Sequence, residues 1–196
     1  MKAKLLVVGL AALLIVACPG FSAPQGEDAM VVHVTDPYLG TLHARGQNSL
    51  KGLTRLYLSV EPPSAEARQD GLSSSVIQTD VQPLLTKAGI HVLTDKEFLG
   101  RVKPGAGVSH LPPSLDITIN TAKRADGLYA YSIALALDQE VALVRVRNLP
   151  GTRAATWSTF GTVGMVQAEH LGQVREEVKK DIGYFLDDYR SVNPKK

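Results

Sequence analysis

The 196-residue chain carries 21 Lys and Arg against 19 Asp and Glu. That near-neutral balance implies no nucleic-acid partner. Its single cysteine, Cys18, leaves the residues after it without a disulfide framework, a thiolate metal site or a cysteine nucleophile.

The chain opens with Lys2 and Lys4, followed by an almost purely apolar run from Leu5 to Val16. The run is too short to cross a bilayer as a mature helix and has the order of an export signal. Two processing routes fit it. Ile15-Val16-Ala17-Cys18 resembles a bacterial lipoprotein signal, which makes residues 1–17 the leader and Cys18 the lipidated first residue. The other route cuts before Ala23, where Gly20 and Ser22 supply the small residues a peptidase reads, and the leader is 1–22. Pro19, directly after Cys18, argues against the first route. On either route the protein is expected in the periplasm or at the outer membrane. It meets a membrane only through a lipid anchor at Cys18.

Residues 23–49 read as a tether or irregular arm, punctuated by Pro24, Gly26, Pro37, Gly40 and Gly46. Within it Met30–Val34 has the composition of a short strand. Compact patterning begins at Leu50. About 146 residues follow, the length of one domain, and 50–196 is expected to be a single α+β unit.

Leu56, Leu58 and Val60 alternate with Arg55, Tyr57 and Ser59, which predicts a strand ended by Pro62-Pro63. One of Ser73, Ser74 or Ser75 then caps a helix. Ile77, Val81, Leu84, Leu85 and Ala88 share one face of it, Pro83 is expected to kink it, and Gly89 ends it. Ile90–Leu93 reads as a short strand. Thr94 and Glu97 have capping-box spacing at the start of a brief helix. Residues 100–113 are rich in Gly and Pro and read as a loop.

Leu115, Ile117 and Ile119 mark the next strand. Ala125-Asp126-Gly127 predicts a tight hairpin turn. The returning strand places Tyr129, Tyr131, Ile133, Leu135 and Leu137 on one face. Leu128, Ala130, Ser132, Ala134 and Ala136 lie on the other. Helices are expected on the large-residue face. A bend is expected near Asp138, with the strand continuing through Leu143 and Val144. Thr156–Val163 reads as one last strand. A helix from Ala168 to Tyr189 closes the chain, with Leu171, Val174, Val178, Ile182, Phe185 and Tyr189 on its apolar stripe. Arg175, Glu176, Lys179, Lys180, Asp187 and Asp188 are assigned to its solvent side. Strands in a run after one early helix predict an α+β fold. The expected architecture is a mainly antiparallel sheet of four or five strands with two principal helices on one face.

Several segments together resemble a family of small, uncharacterised bacterial exported proteins. They are Gln78-Thr79-Asp80-Val81, Ala88–Leu93, Leu128–Ile133, Thr156-Trp157-Ser158 and Val192-Asn193-Pro194. The resemblance spans the domain and implies no catalytic residue. The order of elements also resembles the amino-terminal domain of TolB and the lipoprotein activators of penicillin-binding proteins. Those domains use a sheet with helices to bind other proteins.

Catalytic signatures are sparse. The five histidines, His33, His43, His91, His110 and His170, include no pair at metal-ligand spacing. Ser109-His110 are sequence neighbours, whereas a triad is assembled from distant residues. Gly161-Thr162-Val163-Gly164 is explained by turn geometry. Asp80, Asp116, Asp126, Asp138 and Glu140 are scattered, although Asp138 and Glu140 share a strand face. Trp157 reads as core. The chain is therefore expected to be a non-enzymatic, exported envelope module that needs no cofactor. Its expected partner is another envelope protein or a cell-wall component, met through the face of Leu128, Ala130, Ser132, Ala134 and Ala136. The alternative is a hydrolase or metal-dependent enzyme that joins Asp138, Glu140 and a histidine only in three dimensions.

Overall fold

The structure, a computed structural model, describes residues 30–33, 46–101, 111–142, 152–159 and 161–194. The leader, Cys18, His43, Ser109, His110, Leu143 and Val144 lie outside the described residues. The fold is α+β. Chain order begins with β1 (Met30–His33), β2 (Arg55–Val60), α1 (Ala65–Gln69), α2 (Ser74–Lys87), β3 (His91–Leu93) and α3 (Asp95–Leu99). It continues with β4 (Ser114–Lys123), β5 (Leu128–Val141), β6 (Thr152–Ser158), β7 (Thr162–Gln167), a 3-10 turn at Ala168–His170, and α4 (Gly172–Val192).

All seven strands among the described residues join one sheet, ordered β1-β7-β5-β4-β2-β3, with β6 also paired to β5. This corrects the expected four or five. β1 adds an edge strand by pairing with β7. The single strand expected over Thr156–Val163 is two. β6 and β7 lie end to end along β5, the first pairing with Ala136–Val141 and the second with Leu128–Ile133. Between them Gly161 takes φ 93°, a conformation that suits glycine. The Thr159 hydroxyl accepts from the Leu135 amide at 3.0 Å, so the break keeps that β5 donor satisfied.

The sheet is mixed. β2 pairs in parallel with both β3 and β4, and the other pairings are antiparallel. The parallel part is built by a crossover through α1 and α2. Ser73 caps α2 by accepting from the Val76 amide, and the helix runs through Pro83 to Lys87. Gly89, at φ 91°, reverses the chain, and the Ile90 amide returns to the Leu85 carbonyl at 3.1 Å. The expected capping box of Thr94 and Glu97 is formed. At the β4–β5 hairpin the Gly127 amide donates to the Arg124 carbonyl, and Gly127 takes φ 86°. The expected bend near Asp138 is a register shift between Leu137 and Asp138, with Thr156 of β6 as the extra residue.

Tyr129, Tyr131, Ile133, Leu135 and Leu137 are buried with Leu115, Ile117, Leu56 and Leu58 in one core. Ile77, Val81 and Leu85 of α2 and Val174, Val178, Ile182 and Phe185 of α4 complete it. α2 and α4 are joined by a two-pronged ion pair in which Arg175 Nε and Nη2 donate to Asp80 at 2.8 and 2.9 Å. Residues at the end of the expected arm join the domain. Ser49 Oγ donates to the Thr156 carbonyl at 3.2 Å, and Gln47 Nε2 to Asp188 Oδ1 at 2.7 Å. Asp188 is therefore buried, which corrects its assignment to the solvent side.

Candidate functional site

Strand alternation forces neighbouring side chains to opposite faces of the sheet. The helices occupy the face of Tyr129 and Leu135. The opposite face carries Leu128, Ala130, Ser132, Ala134 and Ala136, of which Ala134 is exposed and the others are half-buried. β4 extends the face with Thr118 opposite Ala134 and Asn120 opposite Ser132. Asn120 Nδ2 donates to Ser132 Oγ at 3.3 Å, or receives from it if the amide is turned. β7 adds Val163 opposite Ser132 and Met165 opposite Ala130. Val163 is one of the few large apolar side chains exposed among the described residues. The result is a shallow, small-residue surface across three strands.

One end of this face is polar. Arg153 reaches from β6 over β5 to β4. Its Nη2 donates to Ser114 Oγ at 2.9 Å and to the Asp138 carbonyl at 3.0 Å, and its Nη1 to the Pro112 carbonyl at 3.1 Å. Ser114 Oγ in turn donates to Asp116 Oδ2 at 3.2 Å. Burial pushes the Asp116 carboxyl above the ordinary carboxylate range, and the negative charge of Asp138 pushes the same way. Hydrogen bonds from Ser114 and Ser59 and the positive charge of Arg153 oppose that rise. Asp116 is thus a half-buried carboxyl tied to Ser114 at the polar end of the sheet face. Periodicity missed this group because its members come from β2, β4, β5 and β6. The alternation of Asp116 with buried Leu115 and Ile117 was the available signal.

The remaining candidates separate. Asp138 faces Asp116 electrostatically, and Glu140 pairs in register with Arg153. His91, on the edge strand β3, lies 3.2 Å from Glu97 and is exposed. His170 is exposed in the 3-10 turn. No group of three or more His, Cys, Asp or Glu side chains that could hold a metal ion occurs among the described residues. Asp80 binds Arg175, and Asp126 serves the hairpin by accepting from the Leu128 amide at 3.3 Å. Trp157 is buried against Phe185, ring centroids 5.0 Å apart. Gly164 corrects the turn explanation given for the Gly161–Gly164 segment. It lies within β7 opposite Tyr131, and a Cβ there would stand 2.5 Å from the tyrosine Cζ and hydroxyl oxygen. Among the described residues, no helix is long and apolar enough to cross a membrane.

Comparison with protein-family models, with curated proteins and with solved structures found no match to this chain.

Proposed function

We propose that this chain is a non-enzymatic, exported envelope module that binds a partner protein through the sheet face opposite its described helices. The observation that carries the reading is the asymmetry of β5. Its large side chains are consumed by the core, while Ala130, Ser132, Ala134 and Ala136 leave a surface that another backbone can approach closely. The polar end formed by Asp116 and Arg153 supplies orientation, since a few placed polar groups fix the register of an otherwise apolar contact. The charged and apolar leader supports export, with Cys18 either lipidated or removed. The likeness in element order to protein-binding domains of the cell envelope supports a protein as the partner.

A photo-crosslinking side chain placed at Ala134 in the native envelope tests this. A discrete adduct is expected from that position and not from Tyr184, which is exposed on α4. Ser132→Arg should abolish the adduct while leaving the fold intact. Equal labelling from both positions, or an adduct unchanged by Ser132→Arg, overturns the reading.

One observation favours the alternative, an enzyme. Asp116 and Asp138 place two carboxyls on one sheet face, with the Arg153 guanidinium on the Asp138 carbonyl and on Ser114. This is a cluster of acidic and basic groups of the kind acid–base chemistry draws on. On that reading Asp116→Asn abolishes turnover of an envelope substrate without lowering stability. On the binding reading it shifts partner affinity alone.

A further inference from the structure

The strands on either side of β2 end at different places. β3 pairs with β2 only from Arg55 to Tyr57, where it stops at Leu93. β4 pairs on the other side from Tyr57 to Val60. Backbone groups of successive strand residues point to opposite edges. The Tyr57 amide donates to the Pro113 carbonyl at 2.8 Å and the Glu61 amide to the Ile117 carbonyl at 3.0 Å, both on the β4 side. Leu58 and Val60 therefore turn their backbone groups to the β3 side, where the Tyr57–Leu93 register spends the Leu58 amide on the Leu93 carbonyl. Beyond it no described strand faces the Leu58 carbonyl or the Val60 backbone groups.

A cleft of about 210 Å³ opens at that point. It is lined by Leu58, Val92 and Leu93 of the sheet, by Gln78 and Gln82 of α2, and by Thr94 and Asp95, the cap and first residue of α3. Among the described residues no hydrogen bond occupies the side-chain amide of Gln78 or Gln82. A glutamine amide offers a donor and an acceptor, the pair that a peptide group needs. Tyr57 Oη donates to Asp95 Oδ1 at 3.0 Å and holds the carboxylate at the rim. Phe98 stacks on the Tyr57 ring at 4.3 Å and fixes it in turn. The lining holds one carboxylate and no cationic side chain, so an acidic ligand is disfavoured.

We propose that this cleft is a second binding site, separate from the open sheet face, for a short, extended peptide segment of neutral or basic character. The segment continues the line of β3 and adds its main chain to the Leu58 carbonyl and the Val60 backbone groups, the part of the β2 edge that no described strand pairs. Gln78 and Gln82 bond its peptide groups, and Asp95 receives a basic side chain or an amide donor.

The test uses the purified protein and three blocked tetrapeptides followed by amide chemical shifts. The first is acetyl-Val-Thr-Val-Lys-amide, the second carries Glu for Lys, and the third is the first with a methyl on its central backbone nitrogens. The first should move the signals of Gln78, Gln82, Val92 and Thr94 in a saturable way. Methylation removes strand-pairing donors and should weaken binding by about tenfold or more. The Glu peptide should bind more weakly than the Lys peptide. Gln82→Ala, at an exposed position that spares the core, should weaken binding of the first peptide, and Ser132→Arg should not. Absence of saturable shifts at millimolar peptide, equal binding of the methylated peptide, or loss of binding in Ser132→Arg each overturns the proposal.

Discussion

The indole of Trp157 donates from Nε1 to Asp188 Oδ2 at 2.8 Å inside the core, joining β6 to α4. The other oxygen of the same carboxylate accepts from Gln47 at 2.7 Å. One aspartate therefore ties together the sheet, the closing helix and the chain entering the domain. Asp188→Ala strands a buried indole N–H and should cost about 2–3 kcal/mol, since hydrogen bonds to charged groups are the stronger ones. Urea unfolding measures this. Asp188→Asn keeps an acceptor for the indole and should lose less.

Phe185 is fully buried and packs against the Trp157 ring in a T-shaped pair. Phe185→Ala removes that contact and leaves a cavity in close-packed surroundings. The expected loss is about 3–5 kcal/mol. A change of a few tenths would mean that α4 does not pack at this position.

Gly164 and Tyr131 are opposite residues on β7 and β5, with the tyrosine ring lying over the glycine. Burial first, and then the charges of Glu177 and Asp181, push the Tyr131 hydroxyl above its ordinary pKa. Gly164→Ala places a methyl where the ring stands and should destabilise by about 1–3 kcal/mol. Tyr131→Leu frees that space, so the two substitutions together should cost less than the sum of each alone. A strictly additive cycle would show that the ring is not what excludes the methyl.

Local signals are legible in the sequence and long-range ones are not. The α2 cap, the Thr94–Glu97 box, the Gly89 terminator and the Gly127 hairpin each depend on a few adjacent residues, and all formed. The shift at Asp138 was legible because it interrupts an alternation. The strand count was not, because β1 is defined by its pairing with β7. The break between β6 and β7 is likewise defined by two halves of β5. Asp188 looked solvated because a helical stripe reports only its own helix, whereas its partners lie 31 and 141 residues away. The small-residue face of β5 was legible from period-two alternation. The Asp116–Ser114–Arg153 chain beside it was not, since Arg153 on β6 reaches across β5 to Ser114 on β4.

Asp80 and Arg175 should couple α2 to α4 measurably. The carboxylate is mostly sheltered and the guanidinium about a third exposed, side-chain values of 16% and 36%. Solvent screening keeps the expected coupling at about 1 kcal/mol, the upper end for such pairs. A cycle of Asp80→Ala and Arg175→Leu reads it directly. The hydrogen bonds from Arg175 hold the Asp80 carboxyl below its ordinary range despite opposing burial. The coupling should therefore be full above that range and fade as pH falls below it.

Glu97 sets the acid limit of α3. The Thr94 amide donates to Glu97 Oε2 at 2.8 Å and the Thr94 hydroxyl at 2.9 Å. These bonds, with a smaller contribution from His91, lower the Glu97 carboxyl from 4.5 to about 2. The backbone bond is the largest cause. A carboxyl depressed in the folded state stabilises fully above its unfolded value, and that contribution is lost as pH falls. The stabilisation from the capping box should thus be full above pH 4.5 and decline below it, with the box itself opening as pH falls through about 2. Nuclear magnetic resonance of the Glu97 side-chain carboxyl and the Thr94 amide should give one shared midpoint near the low end of that window. Thr94→Ala removes the hydroxyl but keeps the amide, so it should raise the midpoint only part of the way. A wild-type midpoint at 4.5 would show that the box does not form in solution, and a full return in Thr94→Ala would show that the hydroxyl, not the amide, carries the effect.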